Sequence, residues 1–190
     1  MSIPALYPWQ HQTWQLLVQS RARHSLAHAF IFSGVQGVGA FEFSQAVSAW
    51  LLCQQPTAQG ACGFCKSCQL WQAQSHPDYR LLAQLTDDKT GKTSHVIKVD
   101  QVRELLGFLN NSAQLNGYRV AVIHHAETLN INAANSLLKN LEEADIVIAL
   151  FDNSKVCDDE DKKILQLIEE NSHKEIIKVL NKSDLQNEFD

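Results

Sequence analysis

The chain has 190 residues, 45% of them apolar, and a formal net charge of −5, which allows one domain with a sizeable core, or a domain with a small insert. No run of 18 or more apolar residues occurs, so no membrane span is expected. The N-terminal Met1-Ser2-Ile3-Pro4-Ala5-Leu6-Tyr7-Pro8 lacks the charged and apolar regions of a signal peptide. A cytoplasmic setting is therefore expected, and the negative charge argues against a dominant nucleic-acid-binding surface.

In chain order, Trp9 to Arg23 reads as an amphipathic helix with Trp9, Leu16 and Leu17 on its apolar stripe. Ala29-Phe30-Ile31-Phe32 is a short apolar strand running into Gly34-Val35-Gln36-Gly37-Val38-Gly39-Ala40, and a helix from Phe41 to Cys53 follows. Strand, glycine loop and helix is the order of a phosphate-binding loop. A cysteine-rich stretch, Cys53 to Cys68, leads to a helix through Trp71. His95–Val99 reads as a second strand, with Asp100 placed to cap a helix Gln101–Asn110. Arg119–Ile123 is a third strand, marked as buried by its continuous apolar run. Asn132–Glu143 is helical, Ile146–Phe151 a fourth strand, Asp161–Glu170 a helix and Glu175–Leu180 a fifth strand. The alternation predicts an α/β fold, a mostly parallel sheet with helices on both faces.

Composition changes sharply near Glu143. Residues 1–141 carry a net charge of +3 and residues 142–190 a net charge of −8. All 8 glycines and all 4 tryptophans precede residue 142, while the last 49 residues hold 6 isoleucines against 5 in the first 141. A glycine-free acidic tail is the bland explanation, and a junction between two unrelated sequences the sharper one.

Cys53, Cys62, Cys65 and Cys68 have the spacing C-x8-C-x2-C-x2-C. Four thiolates complete a tetrahedral structural zinc site and leave no open position for catalysis. Gly60 and Gly63 permit the turns that gather them. Cys157 stands apart in the acidic tail. The phosphate loop is degenerate. Gly34, Gly37 and Gly39 keep its frame, but Ala40 stands where a phosphate-gripping lysine belongs and Phe41 where a Mg²⁺-binding hydroxyl belongs. The third strand ends in His124-His125 rather than a carboxylate. On a strand these two would face opposite sides, so a shared metal ion is not expected. Neither ATP nor GTP is expected to bind tightly, although a bare anion could still rest at the helix start. Near the C-terminus, Asn181-Lys182-Ser183-Asp184 reads as a guanine-recognition signature, with Asn181, Lys182 and Asp184 as the candidate contacts.

Several stretches together resemble the delta-prime subunit of the bacterial DNA polymerase III clamp loader. They are Tyr7-Pro8-Trp9-Gln10, His28-Ala29-Phe30, the loop from Gly34, the four-cysteine insert, His76-Pro77-Asp78, Val99-Asp100-Gln101-Val102-Arg103, and Asn132 through Leu137-Leu138-Lys139 to Glu143. Over about residues 1–143 the resemblance implies an AAA+ version of the phosphate-loop sandwich with a structural zinc insert at residues 53–68. It also implies a subunit that does not hydrolyse ATP, works among other clamp-loader subunits, and supplies an arginine to a neighbour's ATP site. After Glu143 that family continues with a proline, a strand and a Ser-Arg-Cys segment; neither that proline nor the Ser-Arg-Cys segment follows here. No arginine occurs after Arg119. The helical lid and collar domain are expected to be missing, and with them most partner contacts.

Residues 144–190 instead resemble the tRNA-modification GTPase family, through Ala144-Asp145-Ile146-Val147-Ile148-Ala149-Leu150-Phe151-Asp152 and Asn181-Lys182-Ser183-Asp184-Leu185. That resemblance implies that the Asn and Asp of the signature bind guanine while the lysine stem packs over it. The chain reads as an engineered or recombinant chimera of two phosphate-loop folds, without nucleotide hydrolysis. The alternative is a GTP-binding fragment that uses Asn181 and Asp184.

Overall fold

The computed structural model describes residues 2–35, 37–84, 96–115, 117–140, 146–152 and 176–181. Strands β1 (Ala29–Gly34), β2 (Tyr79–Leu82), β3 (Val120–Ile123), β4 (Ile146–Asp152) and β5 (Ile176–Asn181) form one sheet in the order β2-β3-β4-β1-β5. Every pairing is parallel. The helices are α1 (His11–Ala22), α2 (Ala40–Leu52), α3 (Lys66–Gln72), α4 (Val99–Leu109) and α5 (Ile131–Asn140).

The period of two along a strand sends alternate side chains to opposite faces. Phe30, Phe32, Val120, Val122, Ile146, Ile148 and Leu150 pack on one face with Trp14 and Leu17 of α1, Val47 and Leu51 of α2, and Trp71 of α3. Ile31, Ala121, Ile123, Val147 and Ala149 pack on the other with Val102, Leu105 and Leu109 of α4 and Ala133 and Leu137 of α5. Two apolar sheet faces need two covering layers, and the result is a three-layer sandwich. At the centre, Ile148 is level with Phe30 on one side and Val122 on the other. Among the described residues, no helix is long and apolar enough to cross a membrane.

Four elements differ from the sequence expectation. The first helix starts at His11, after a 3-10 turn Pro8–Gln10. Its buried face is Trp14 and Leu17, whereas Leu16 is 59% exposed and Trp9 46% exposed. The expected strand at His95–Val99 is reduced to a single bridge between Ile97 and Leu129, and α4 already begins at Val99; His95 lies outside the described residues. Asp100 is not the cap: Lys98 takes that place, and its N–H donates to Gln101 Oε1 at 3.0 Å. Asp100 instead pairs with Arg103 on the exposed surface, a contact that contributes little. The second strand is Tyr79–Leu82, which pairs with β3 at the sheet edge. With Arg80 inside it, only four residues and one covered edge, it leaves a weak local pattern. The expected helix Asp161–Glu170 and Cys157 lie outside the described residues.

Since Ile148 is fully buried between two sheet neighbours and beneath the helices of one face, Ile148→Ala should lower unfolding stability by about 2–5 kcal/mol. Leu81→Ala, at a half-exposed position of the edge strand, should cost far less. Urea denaturation followed by tryptophan fluorescence checks both.

Candidate functional site

The glycine loop runs from the end of β1 into α2. Gly39, the residue before α2, has φ +79°, and a Cβ added there would lie 2.6 Å from Tyr7 Cδ2. Only glycine meets both conditions without strain. Tyr7 belongs to a short strap across the loop. Gln10 is buried and donates from Nε2 to the carbonyls of Gly39 (2.9 Å) and Val38 (3.4 Å), while its Oε1 accepts from Tyr7 N–H at 3.0 Å. Trp9 Nε1 also donates to Val38, at 3.0 Å, and its ring stacks on Tyr7 with centroids 5.0 Å apart.

Beside the loop lies a cleft of about 330 Å³ lined by Tyr7, Gly34, Gly37, Ala40, Phe41 and His124, among others. No lysine or arginine is among its described lining residues, and Glu42 adds a carboxylate. The Phe41 ring lies 4.6 Å from the His124 ring, so the two unorthodox residues pack on each other. Burial, followed by the neighbouring His125, pushes the His124 imidazole below its usual range, against an opposing pull from Glu42. It therefore offers no fixed positive charge at neutral pH. His124 and His125 do not lie on opposite strand faces as expected. β3 ends at Ile123, His125 turns with φ +58°, and the two rings come within 4.1 Å. His125 Nδ1 is held by Glu127 Oε1 at 2.9 Å.

The cysteines gather where α2 ends. Cys53 leaves the helix extended, Thr57 and Gly60 exchange backbone hydrogen bonds of 2.9 and 3.3 Å, and Gly63 (φ +81°) turns the chain between Cys62 and Cys65. Cys65 then precedes α3 and its Sγ accepts from Cys68 N–H at 3.4 Å. All four Sγ atoms lie within 4.8 Å of one another. The Cys53–Cys65 and Cys62–Cys68 separations are 3.9 Å, and Cys53–Cys68 is 3.6 Å. Metal–sulfur bonds of ~2.3 Å in a tetrahedron require sulfur separations of about 3.8 Å. The four cysteines thus fit a tetrahedral ion such as zinc. Backbone N–H groups stabilise the sulfurs as anions: Gln55 and Cys62 donate to Cys53, and Cys65 donates to Cys62. Burial raises the thiols of Cys53 and Cys68. At Cys65 burial also pushes upward, but the amides of Cys68 and Gln54 and the neighbouring thiols outweigh it and bring the group to about 6.

A buried chain of hydrogen bonds fastens this module to the sheet, and the sequence reading missed its role. Asp78 accepts the backbone N–H groups of Gln114 (2.7 Å) and Leu115 (2.8 Å). Its own N–H donates to His76 Nδ1 at 3.1 Å. That leaves Nε2 as the protonated nitrogen, which donates to Ser67 Oγ at 2.7 Å, and Ser67 donates to the Leu52 carbonyl at 2.5 Å. His76 therefore donates to the serine rather than taking its proton, which is the reverse of nucleophile activation. Trp14 and Trp50 add indole hydrogen bonds to Ala58 (2.7 Å) and Thr57 (2.9 Å). The visible cue in the sequence was His76-Pro77-Asp78, seen only as a matching stretch.

β5 lies directly beside β1, and Asn181 is level with Gly34. Lys182, Ser183 and Asp184 lie outside the described residues.

A model of the family described as DNA polymerase III, delta subunit, matches residues 9–158. The chain is 46% identical over 148 residues to DNA polymerase III subunit delta' of Pseudomonas aeruginosa, covering 77% of this chain and 42% of that protein. It is 76% identical over 53 residues to the tRNA modification GTPase MnmE of Aliarcobacter butzleri, covering 28% of this chain and 12% of that protein. Matched lengths of 148 and 53 residues together exceed the 190 of the chain, so the two similarities overlap. The chain thus joins sequence similar to two different proteins, and it spans less than half of the delta' relative. A solved gamma-subunit-related DNA polymerase III protein of Thermotoga maritima superposes with a TM-score of 0.54 at 19% identity, covering 90% of this chain and 45% of that one. That likeness concerns the fold alone.

Burial, partly offset by Asp78, pushes His76 below its ordinary value of 6.5. The unfolded chain then binds a proton that the folded one refuses. The stability that depends on His76 should be level above about pH 6.5 and fall as the pH drops below it. Melting temperatures between pH 7.5 and 5.5 check this, and His76→Gln, which keeps a donor for Ser67, should flatten the decline.

Proposed function

The chain belongs to the DNA polymerase III delta subunit family over residues 9–158, and from that premise we propose that it is a non-catalytic replication scaffold fragment of the clamp-loader delta-prime kind. About residues 1–143 form the scaffold part, and residues 144–190 are a tRNA-modification-GTPase-like segment joined to it by engineering or recombination. The observation that carries the absence of catalysis is the cleft beside the glycine loop. It lacks a lysine or arginine among its described lining residues, includes Glu42, and has Phe41 packed on His124. Phosphoryl transfer depends on cations that hold the phosphates and the metal, and none of these lining groups serves that purpose. The glycine frame of Gly34, Gly37 and Gly39 then remains as a folding element under the Tyr7–Gln10 strap.

The parallel pairing of β5 with β1, which brings Asn181 level with Gly34, favours a second reading in which Asn181, Lys182 and Asp184 hold a guanine base. The cleft weakens it. Each lost charge-assisted contact to a triphosphate costs roughly 1.5–3 kcal/mol, and two such losses amount to on the order of a hundredfold in affinity or more. Calorimetric titration with ATP or GTP and Mg²⁺ should give no tight binding, hydrolysis should stay at background, and Asp184→Ala should change little. Micromolar GTP affinity abolished by Asp184→Ala would overturn the scaffold reading in favour of the GTPase one.

The four-cysteine cluster is proposed to hold a structural zinc. Each of the four sulfurs is already committed to the tetrahedron, which leaves no position for substrate or water. One zinc per chain is the expected result of metal analysis, with metal–sulfur distances near ~2.3 Å by X-ray absorption. Cys65→Ser should lose the metal and open the insert to proteolysis. A folded chain with four free thiols and no metal counts against the proposal.

A further inference from the structure

The four sulfurs are not equivalent. Cys53, Cys65 and Cys68 are buried, with 1%, 9% and 1% exposure, whereas Cys62 is only half-buried. Cys53 accepts two backbone N–H groups, from Gln55 at 3.4 Å and Cys62 at 3.3 Å. Cys65 accepts Cys68 N–H and is also bonded by the backbone of Gln54. The described backbone donor to Cys62 is Cys65 N–H, at 3.4 Å. N–H donors draw charge from a ligating thiolate and reduce its attack on electrophiles, and access sets the rest. Donor number sets Cys62 apart from Cys53 and Cys65; Cys68 likewise has one backbone bond, from Gly63, but is buried, so access sets Cys62 apart from all three. Its surroundings are also open. At the adjoining Gly63 a Cβ would meet nothing within 4 Å, and Phe64 is 66% exposed. The loop is tethered from behind, where Gln72 and Gln69 donate to the carbonyls of Gly63 and Phe64 at 3.2 Å each.

We propose that Cys62 is the reactive thiolate of the metal-loaded module, the one of its four sulfurs at which soft carbon electrophiles first attack and release the metal. This rests on the four-thiolate zinc reading. With iodoacetamide, Cys62 Sγ attacks the methylene carbon. A sulfur–carbon bond forms as the carbon–iodine bond breaks, and iodide leaves with the bonding pair. The product is a neutral thioether, a far weaker ligand than the thiolate it replaces, so three thiolates remain.

The test uses the full chain carrying Cys157→Ser, loaded with one equivalent of Zn²⁺ and treated with limiting iodoacetamide. Peptide mass mapping follows each cysteine while a chromogenic chelator follows metal release. Cys62 should be alkylated on the order of tenfold faster than the other three, with zinc released on the same time course. In Cys62→His, which keeps a ligand but removes the thiolate, release should slow by a similar factor. Prior labelling of Cys53, Cys65 or Cys68, simultaneous labelling of all four, or unchanged release from Cys62→His would overturn the inference. A chain that takes up no zinc at all would instead defeat the four-thiolate reading itself.

Discussion

Hydrogen bonding on both edges of β4 ties the described layers together. The first two amides of the strand already divide between its neighbours: Ile146 N–H reaches Arg119 O at 3.1 Å and Val147 N–H reaches His28 O at 2.8 Å. Its side chains divide in the same way, with Ile146, Ile148 and Leu150 entering one core and Val147 and Ala149 the other. A strand apolar on both faces is stable only where both faces are covered, and each large side chain buried there contributes about 1.5–3 kcal/mol. β4 also lies just beyond the point where composition changes along the chain. What the sheet demands there is general: an extended, two-faced apolar segment of the right length. Any segment of that kind meets the demand between β3 and β1, because parallel pairing is made by the backbone.

The sequence carried those parts of the fold whose signals are local. The runs at Ala29–Phe32, Arg119–Ile123 and Ile146–Phe151 marked three strands, and glycine spacing marked the start of α2. What it hid was set by distant contacts. Tyr79–Leu82 becomes a strand because β3 offers an open edge, and its own residues are too mixed to announce it. Leu16 and Leu17 look equivalent in a list of apolar residues, yet Leu17 is buried with Trp14 against the sheet while Leu16 is exposed. His124 and His125 were misread because strand geometry was carried one step past Ile123, into a left-handed turn.

The site was legible in the same uneven way. Cysteine spacing stated the donor set, but the unequal cover of the four sulfurs arises from the fold around them. The role of His76 depended on partners at Leu52, Ser67 and Asp78, which no short motif encodes. Its buried chain holds α2, α3 and the β2 edge in one arrangement, and each member has a partner that lies elsewhere in the sequence.

Gly39 gives the loop a meaning that its glycine frame alone does not convey. The residue is held to glycine by its left-handed backbone and by a tyrosine ring, with Gln10 bolted to the same carbonyl. Both constraints come from the chain's own backbone and side chains. Positions 7 and 39 are therefore coupled: a smaller side chain at 7 removes the severe clash at 39, leaving a tight 3.2 Å approach to Gln10 Nε2 and a backbone preference that asparagine can also satisfy. Across diverging descendants of such a chain, the glycine would drift in concert with an aromatic residue thirty-two positions upstream, and its persistence would trace the tyrosine's history rather than any nucleotide's.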